Sequence, residues 1–209
     1  MQRIPEPTIK RLIRYYRCLS KLDISNGEVI LSLELGRKTG VTAAQVRKDL
    51  SYLGELGQKG VGYEITTLKK SLGQTLGFDR SSPIIIVGAG NLGRALCCYK
   101  EFDRIGIKVS AIFDNDLNKI NNQVNGLKVR NIKKLEPYVK KNDIKIAALT
   151  VPESVVEQIY EKLIGTGINY IWNFAPVSLP STGEASVFYE DLASDLGSLI
   201  YQINNKNLY

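Results

Sequence analysis

Ile84-Ile85-Ile86-Val87-Gly88-Ala89-Gly90-Asn91-Leu92-Gly93 decides the fold. A short apolar run followed at once by G-x-G-x-x-G, and then by a helical pattern, reads as strand, tight turn and helix, the opening of a dinucleotide-binding βαβ unit. Gly88 allows the turn, Gly90 lets the backbone approach a pyrophosphate, and Gly93 permits close packing of helix on strand. With Ala89, Asn91 and Leu92 completing the loop, the free N–H groups of the helix start would face phosphate oxygens. Asp114 lies twenty-one residues past Gly93, at the end of the next apolar run, Val109-Ser110-Ala111-Ile112-Phe113. A carboxylate there can accept both ribose hydroxyls and repels a 2′-phosphate, which favours NAD(H) over NADP(H). A glycine turn of this kind also serves other adenine nucleotides such as coenzyme A, or none, and likeness of fold does not separate these.

Working outward, strand-like runs at 84–87, 109–113, 146–151 and 170–174 alternate with helical stretches near 91–102, 133–140 and 154–164. That alternation predicts a parallel sheet with crossover helices, a Rossmann-type α/β domain. Leu149-Thr150-Val151-Pro152 and Asn173-Phe174-Ala175-Pro176 fall at the ends of the last two of these strands, the edge at which such sheets bind ligands. The final segment, 191–203, carries Leu192, Leu196, Leu199, Ile200 and Ile203 on one helical face and needs a partner surface.

Upstream, Gly77-Phe78-Asp79-Arg80-Ser81-Ser82-Pro83 is a seam of turn-forming residues, and the domain boundary belongs there. Before it, Ile9, Leu12, Ile13, Tyr16 and Leu19 recur at helical spacing after Pro7. A second helix over 32–40 is followed after a short break by a third. Thr42-Ala43-Ala44-Gln45 reads as a capping box, with the threonine hydroxyl accepting from the third N–H and Gln45 reaching back. On the helix that follows, Val46, Leu50 and Leu53 form an apolar stripe, while Ala44, Arg47, Lys48 and Ser51 spread over the other side. Basic residues near a capped helix start have the layout of a recognition helix in the DNA major groove. Arg47 could fork onto guanine, and Lys48 could meet a base or a phosphate; the spacing leaves open which of them reads sequence. Four glycines around Lys59, between Gly54 and Gly62, predict an exposed wing able to place Lys59 and Gly60 in a minor groove.

Composition agrees. Of the +7 net charge, residues 1–80 hold +6, with 14 Lys/Arg against 8 Asp/Glu, so the nucleic-acid footprint sits at one end. Apolar residues make up 44% and no run approaches the ~18 residues of a membrane span, so a cytoplasmic protein is expected. The three cysteines, Cys18, Cys97 and Cys98, lack zinc or thioredoxin spacing, and the adjacent pair on an apolar helix face reads as packing. Histidine is absent, which removes the commonest general base and the commonest transition-metal ligand; no metal site is expected.

Ala44-Gln45-Val46-Arg47-Lys48-Asp49-Leu50-Ser51-Tyr52-Leu53-Gly54, followed by Lys59-Gly60-Val61-Gly62-Tyr63, resembles the winged-helix signature of the bacterial Rex redox-sensing repressors. Ile4-Pro5 and Thr8-Ile9-Lys10-Arg11-Leu12 match the family's opening, and the likeness runs from Ile4 to about Ile203. It departs at Tyr189-Glu190, where many members carry smaller or neutral residues, and at Ser81-Ser82, a linker often bulkier. The resemblance implies a winged-helix domain over 1–80, a Rossmann domain over 81–188 and a C-terminal helix over 189–209 exchanged between the protomers of a homodimer. It further implies that Tyr99, Thr150, Val151, Pro152, Asn173 and Phe174 border the nicotinamide. Arg17 and Asp191 would be the pair linking first and last helices, with Leu192 near the partner's pocket. A repressor that leaves a near-palindromic operator when NADH binds is the expected function. The rival, an NAD-dependent dehydrogenase, would need an acid or base and an enclosing domain; the chain has no histidine, and only one helix follows the Rossmann pattern. An architectural DNA binder, indifferent to sequence and to NADH, is the third reading.

Overall fold

Pro7 stands in the first turn of α1 (Glu6–Leu19), where its missing N–H costs nothing, and Leu12, Tyr15 and Leu19 form the buried face of that helix. The computed structural model describes residues 3–23, 27–54, 56–58, 61–180 and 185–205. They divide into two compact units: Met1–Ser82 joined by Lys100–Ile107, and Pro83–Tyr99 joined by Lys108–Tyr209.

In the first unit β1 (Val29–Ile30) leads into α2 (Ser32–Thr39), which stops at Gly40 in the left-handed conformation that favours glycine. α3 (Ala43–Leu50) follows, completing a helix-turn-helix. β2 (Gly57–Gln58) and β3 (Gly62–Glu64) pair antiparallel, with Gly57 opposite Tyr63, and the sheet order β1-β3-β2 is that of a winged helix. β3 ends at Glu64, whose carboxylate accepts from the Thr66 and Thr67 N–H groups at 3.0 and 2.6 Å and so starts α4 (Ile65–Leu76). Those bonds hold the Glu64 carboxyl down at about 2. Leu12, Leu35, Val46, Leu50, Leu68 and Leu72 fill one core; each such buried side chain contributes roughly 1.5–3 kcal/mol.

In the second unit β4 (Ser82–Val87) feeds α5 (Asn91–Cys97). The helical stretch expected over 91–102 is two helices, because α5 ends early: the Asn125 amide donates to the Cys97 carbonyl at 2.8 Å, capping it from another part of the chain. The second piece, α6 (Glu101–Arg104), belongs to the first unit. β5 (Ile107–Asp114), β6 (Gln123–Val124), β7 (Leu127–Asn131), α7 (Leu135–Asn142), β8 (Ile146–Leu149), α8 (Glu153–Ile164), β9 (Tyr170–Asn173), β10 (Ser186–Tyr189) and α9 (Leu192–Asn204) follow. The sheet order β10-β9-β8-β4-β5-β7-β6 is parallel at the β10/β9, β9/β8, β8/β4 and β5/β7 pairings, and antiparallel between β6 and β7. Ile85, Val87 and Phe113 enter one apolar cluster and Ile86 and Ile112 another, so both faces of the sheet are covered, as parallel strands require. β4 lies where the strand order reverses, between β5 and β8, and its C-terminal edge is therefore where a crevice opens. β10 was not expected from the sequence; it pairs with β9 so that Tyr189 lies beside Asn173. None of α9 is buried within the chain.

Candidate functional site

The loop at the β4 edge is fixed by two glycines. Gly88 has φ +109°, and a Cβ on it would stand 2.6 Å from the Thr150 carbonyl oxygen. A Cβ on Gly93 would overlap the Gly88 carbonyl, which is how α5 lies so close behind the loop. Thr150 Oγ1 donates toward the Gly88 carbonyl at 2.8 Å, tying the end of β8 to the turn. At Gly90, by contrast, nothing stands within 4 Å of where a Cβ would be. There the backbone faces a cleft of about 580 Å³ lined by Gly88, Gly90, Asn91, Leu92, Asp114, Thr150, Val151 and Pro152.

Asp114 is the electrostatic centre of this cleft. It is 7% exposed and accepts from the Ala89 N–H at 2.7 Å and the Asp116 N–H at 2.8 Å. Lys119 Nζ stands 3.4 Å away. Burial pushes the Asp114 carboxyl up, but the two N–H donors and the lysine outweigh it, and the group sits below the ordinary carboxylate range. A charged carboxylate with about four lone-pair sites keeps capacity for ribose hydroxyls after these bonds. Open loop backbone and a buried acceptor at the next strand end suit an adenine dinucleotide.

Several expected residues stand elsewhere. Ala89 is buried beneath the loop, and Gly93 acts by packing. Asn173 is fully buried, and its amide is used up locally: Nδ2 donates to the Ala175 and Val177 carbonyls at 3.1 and 3.2 Å, and Oδ1 accepts from the Ala175 N–H at 3.0 Å. It shapes the turn after β9 and does not line the cleft. Phe174 packs on Trp172 with ring centroids 4.5 Å apart, and Tyr99 is half exposed; neither lines the cleft within the chain. Asp116 and Lys119, together with Val155, Gln158 and Ile159 from α8, do line it, although the sequence reading did not single them out. The charge alternation after Asp114 and the one-sided spacing of those α8 residues were the available signals.

In the first unit, Thr42 caps α3 by accepting from the Gln45 N–H at 3.2 Å. Gln45 does not reach back; its amide donates to Asp49 at 2.8 Å, so only half the expected capping box forms. Asp49 is fully buried on the apolar side of α3. Arg11 holds it with two bonds, Nε at 2.6 Å and Nη2 at 2.7 Å, and the Tyr15 hydroxyl donates at 2.8 Å. Burial alone would raise the Asp49 carboxyl; Arg11, Tyr15 and Gln45 reverse the effect and keep it charged. This cluster, which sequence reasoning missed, fixes α3 to α1 and leaves Ala44, Arg47, Lys48 and Ser51 on the exposed side. Arg47 Nη1 donates to Ser32 Oγ at 3.0 Å, and the Ser51 hydroxyl donates to the Lys48 carbonyl at 2.7 Å. Lys59 and Gly60 lie outside the described residues.

Arg17 and Asp191 each have other partners within the chain. Arg17 Nη2 donates to Glu101 Oε2 at 3.0 Å, whereas Asp191 caps α9 by accepting from the Ala193 and Ser194 N–H groups at 3.1 and 3.0 Å. Leu192, Leu196, Leu199 and Ile203 are each more than half exposed. Cys97 is buried, its thiol near the Val124 carbonyl at 3.7 Å, and burial raises its pKa, the setting of an unreactive packing residue.

Family models cover most of this architecture. Residues 3–51 match a model described as "Putative DNA-binding protein N-terminus", and residues 79–177 match a "CoA binding domain". The chain is 36% identical over 198 residues to a redox-sensing transcriptional repressor Rex of Clostridium botulinum, covering 95% of this chain and 94% of that one. It is 38% identical over 209 residues to the redox-sensing transcriptional repressor Rex 1 of Thermotoga maritima, covering 99% of each. Among solved structures, RSP in complex with β-NAD+ and operator DNA is 33% identical with a TM-score of 0.87, covering 100% of this chain and 96% of that one. RSP in complex with β-NADH is 31% identical with a TM-score of 0.80, covering 100% and 98%. With a capped basic helix in one unit, a dinucleotide cleft in the other and near-complete coverage by these relatives, the chain belongs to the Rex family of redox-sensing transcriptional repressors.

Proposed function

We propose that this protein represses transcription by binding a near-palindromic operator as a homodimer, and that it lets go when NADH enters the cleft at Gly88–Gly93. The observation that carries this reading is the cleft itself: open loop backbone at Gly90 beside the buried, charged Asp114. It occurs in a chain alike over its whole length to a repressor solved with β-NAD+ and operator DNA. Ala44, Gln45, Arg47, Lys48 and Ser51 of α3 and its edge form the DNA face, with Lys59 and Gly60 of the wing in the minor groove. Gln45, already bonded to Asp49, contributes through what remains of its amide.

Residues 189–209 act as the exchanged dimer helix, and the apolar face of α9 supports this, since Leu192, Leu196, Leu199 and Ile203 find no cover in one chain. Two recognition helices held by one dimer demand half-sites about one helical turn, or a multiple, apart. NADH favours a dimer in which the helices lose that spacing, which for a nearly complete shift takes roughly 5 kcal/mol of differential affinity. Tyr99, Thr150, Val151, Pro152 and Phe174 form the nicotinamide end, Tyr99 and Phe174 being completed there by the dimer. Val151 and Pro152 give it an apolar wall that disfavours the positive ring of NAD+. Arg17 and Asp191 are the pair that links α1 to the start of α9, with Leu192 near the partner's nicotinamide pocket. The protein works where the DNA is, in the cytoplasm; no helix among the described residues is long and apolar enough to cross a membrane.

The match to a "CoA binding domain" favours a second occupant, coenzyme A. One experiment separates the readings: operator affinity by fluorescence anisotropy, titrated with NADH, NAD+ and coenzyme A. Release by NADH alone is expected; release by coenzyme A, or by none of the three, overturns the reading.

A further inference from the structure

Glu101 is the only carboxylate that meets Arg17 among the described ion pairs, and it is surrounded by cations. Arg17 Nη2 and Nε reach Oε2 at 3.0 and 3.3 Å, Arg104 Nη1 reaches Oε1 at 2.7 Å, and Lys21 Nζ stands 3.9 Å away. The hydrogen bond from Arg17 is the foremost cause that keeps Glu101 charged. Arg17 and Lys21 belong to the end of α1 and just beyond, whereas Glu101 opens α6, inside the stretch Lys100–Ile107 that the nucleotide-binding sequence contributes to the DNA-binding unit. That stretch is fastened at its other end too: the Ser82 N–H donates to the Gly106 carbonyl at 2.7 Å, and Gly106, at φ +73°, packs on the Phe78 and Arg80 carbonyls.

The covalent path is short. α5 begins on the phosphate loop and ends at Cys97, and four residues later Glu101 grips α1. The same α1 carries a second ion pair, Arg11 on Asp49, which holds the recognition helix α3. One helix is thus ionically tied both to the segment that follows α5 and to the element that faces DNA. We propose that Glu101 is a positioning residue that couples the dinucleotide cleft to the DNA-binding unit, transmitting displacement of α5 to α1 through Arg17. The inference rests on the reading of this protein as an NADH-released repressor. On that reading Arg17 has two carboxylates to choose between, Glu101 and Asp191.

The test uses the full chain and two separate measurements: operator affinity by anisotropy with saturating NADH and with NAD+, and NADH affinity by nicotinamide fluorescence. The ratio of the two operator affinities is the coupling factor, which a merely structural side chain would leave alone. Glu101→Ala should lower that ratio at least tenfold while NADH affinity and NADH-free operator affinity each stay within threefold of the parent. Glu101→Gln, which keeps an acceptor oxygen for Arg17 without the charge, should lose part of the coupling, and it serves if the alanine variant does not fold. Arg104→Gln removes the other guanidinium and spares the tie to α1, so its ratio should equal the parent's. A coupling factor within twofold of the parent in both Glu101 variants overturns the proposal, as does an Arg104→Gln loss as large as that of Glu101→Ala. If the parent itself binds operator equally with NADH and NAD+, the functional reading fails first, and that result is visible before any variant is compared.

Discussion

Asp49→Ala should do more damage to DNA binding than any single change on the exposed side of α3, although Asp49 cannot touch DNA. Its side chain is 1% exposed and receives four hydrogen bonds, two of them from Arg11. Removing one partner of a buried pair costs about 3–5 kcal/mol, chiefly through the charge left behind. Arg11 is 25% exposed and can recover water, which lowers that cost. The Tyr15 hydroxyl has no such route, since Tyr15 is fully buried, and an unsatisfied buried hydroxyl costs about 1–3 kcal/mol. The net expectation is a loss of about 3 kcal/mol, which lowers the melting midpoint of a unit this size by about 12–24 °C, at about 4–8 °C per kcal/mol. Tyr15→Phe, which removes only one neutral donor, should cost about 1 kcal/mol. Urea unfolding followed by circular dichroism, with operator anisotropy on the same preparations, checks both. A loss below about 1 kcal/mol for Asp49→Ala, or equal losses for the two variants, would refute the claim that this cluster fixes the recognition helix.

Four further outcomes are expected. Gly93→Ala, whose Cβ would overlap the Gly88 carbonyl and stand 2.7 Å from Thr150 Oγ1, should weaken NADH at least tenfold, and unchanged nicotinamide fluorescence titrations would dismiss the close-packing account. Asp114→Asn keeps the shape and loses the charge; NADH should weaken about tenfold, about 1.4 kcal/mol, while NADPH improves relative to NADH in the same titration. Asp49 and Asp114 both have lowered carboxyl pKa values, so their stabilisation is full above the ordinary value near 3.9 and is lost as pH falls through the lower folded value. Urea midpoints measured from about pH 7 down to about pH 2.5 should therefore drop less steeply for Asp49→Ala than for the parent, and parallel curves would count against it. Leu196→Asp combined with Leu199→Asp places charge on the uncovered face of α9 and should give a monomer by light scattering that no longer binds operator; a dimer of normal affinity would assign that face to something else.

The features that sequence exposed were those carried by local chemistry. Gly88 and Gly93 are required by the backbone itself, Thr42 accepts from the N–H three residues on, and Asp114 follows the buried apolar residues Ala111, Ile112 and Phe113 that end its strand. What escaped depends on partners distant along the chain. α5 stops at Cys97 because Asn125 caps it, and no pattern within 91–102 records that contact. Asn125-Gly126, both at positive φ, turns β6 into β7, a local hairpin signal that the sequence reading passed over. Asp49 stands on the buried face of α3, so an acid among Val46 and Leu50 was a visible anomaly whose explanation, Arg11, lies on another helix. Asn173 looked like a ligand because of where it falls on its strand, yet its amide is consumed by the turn that follows. β10 is an edge strand in which only Val187 is partly buried, and its pairing with β9 identifies it.

The loan of Lys100–Ile107 to the first unit also orders events during synthesis. A nascent chain released only as far as Ser82 has its four longer helices and its wing but not the carboxylate for Arg17 or the carbonyl for the Ser82 N–H. Those two contacts can therefore form only after β4, the glycine loop and α5 have left the ribosome, although the rest of the unit is encoded first. A fragment cut at the seam lacks the Arg17–Glu101 and Ser82–Gly106 contacts, and a graft of this reader onto another sensor keeps them only by carrying the eight borrowed residues with it.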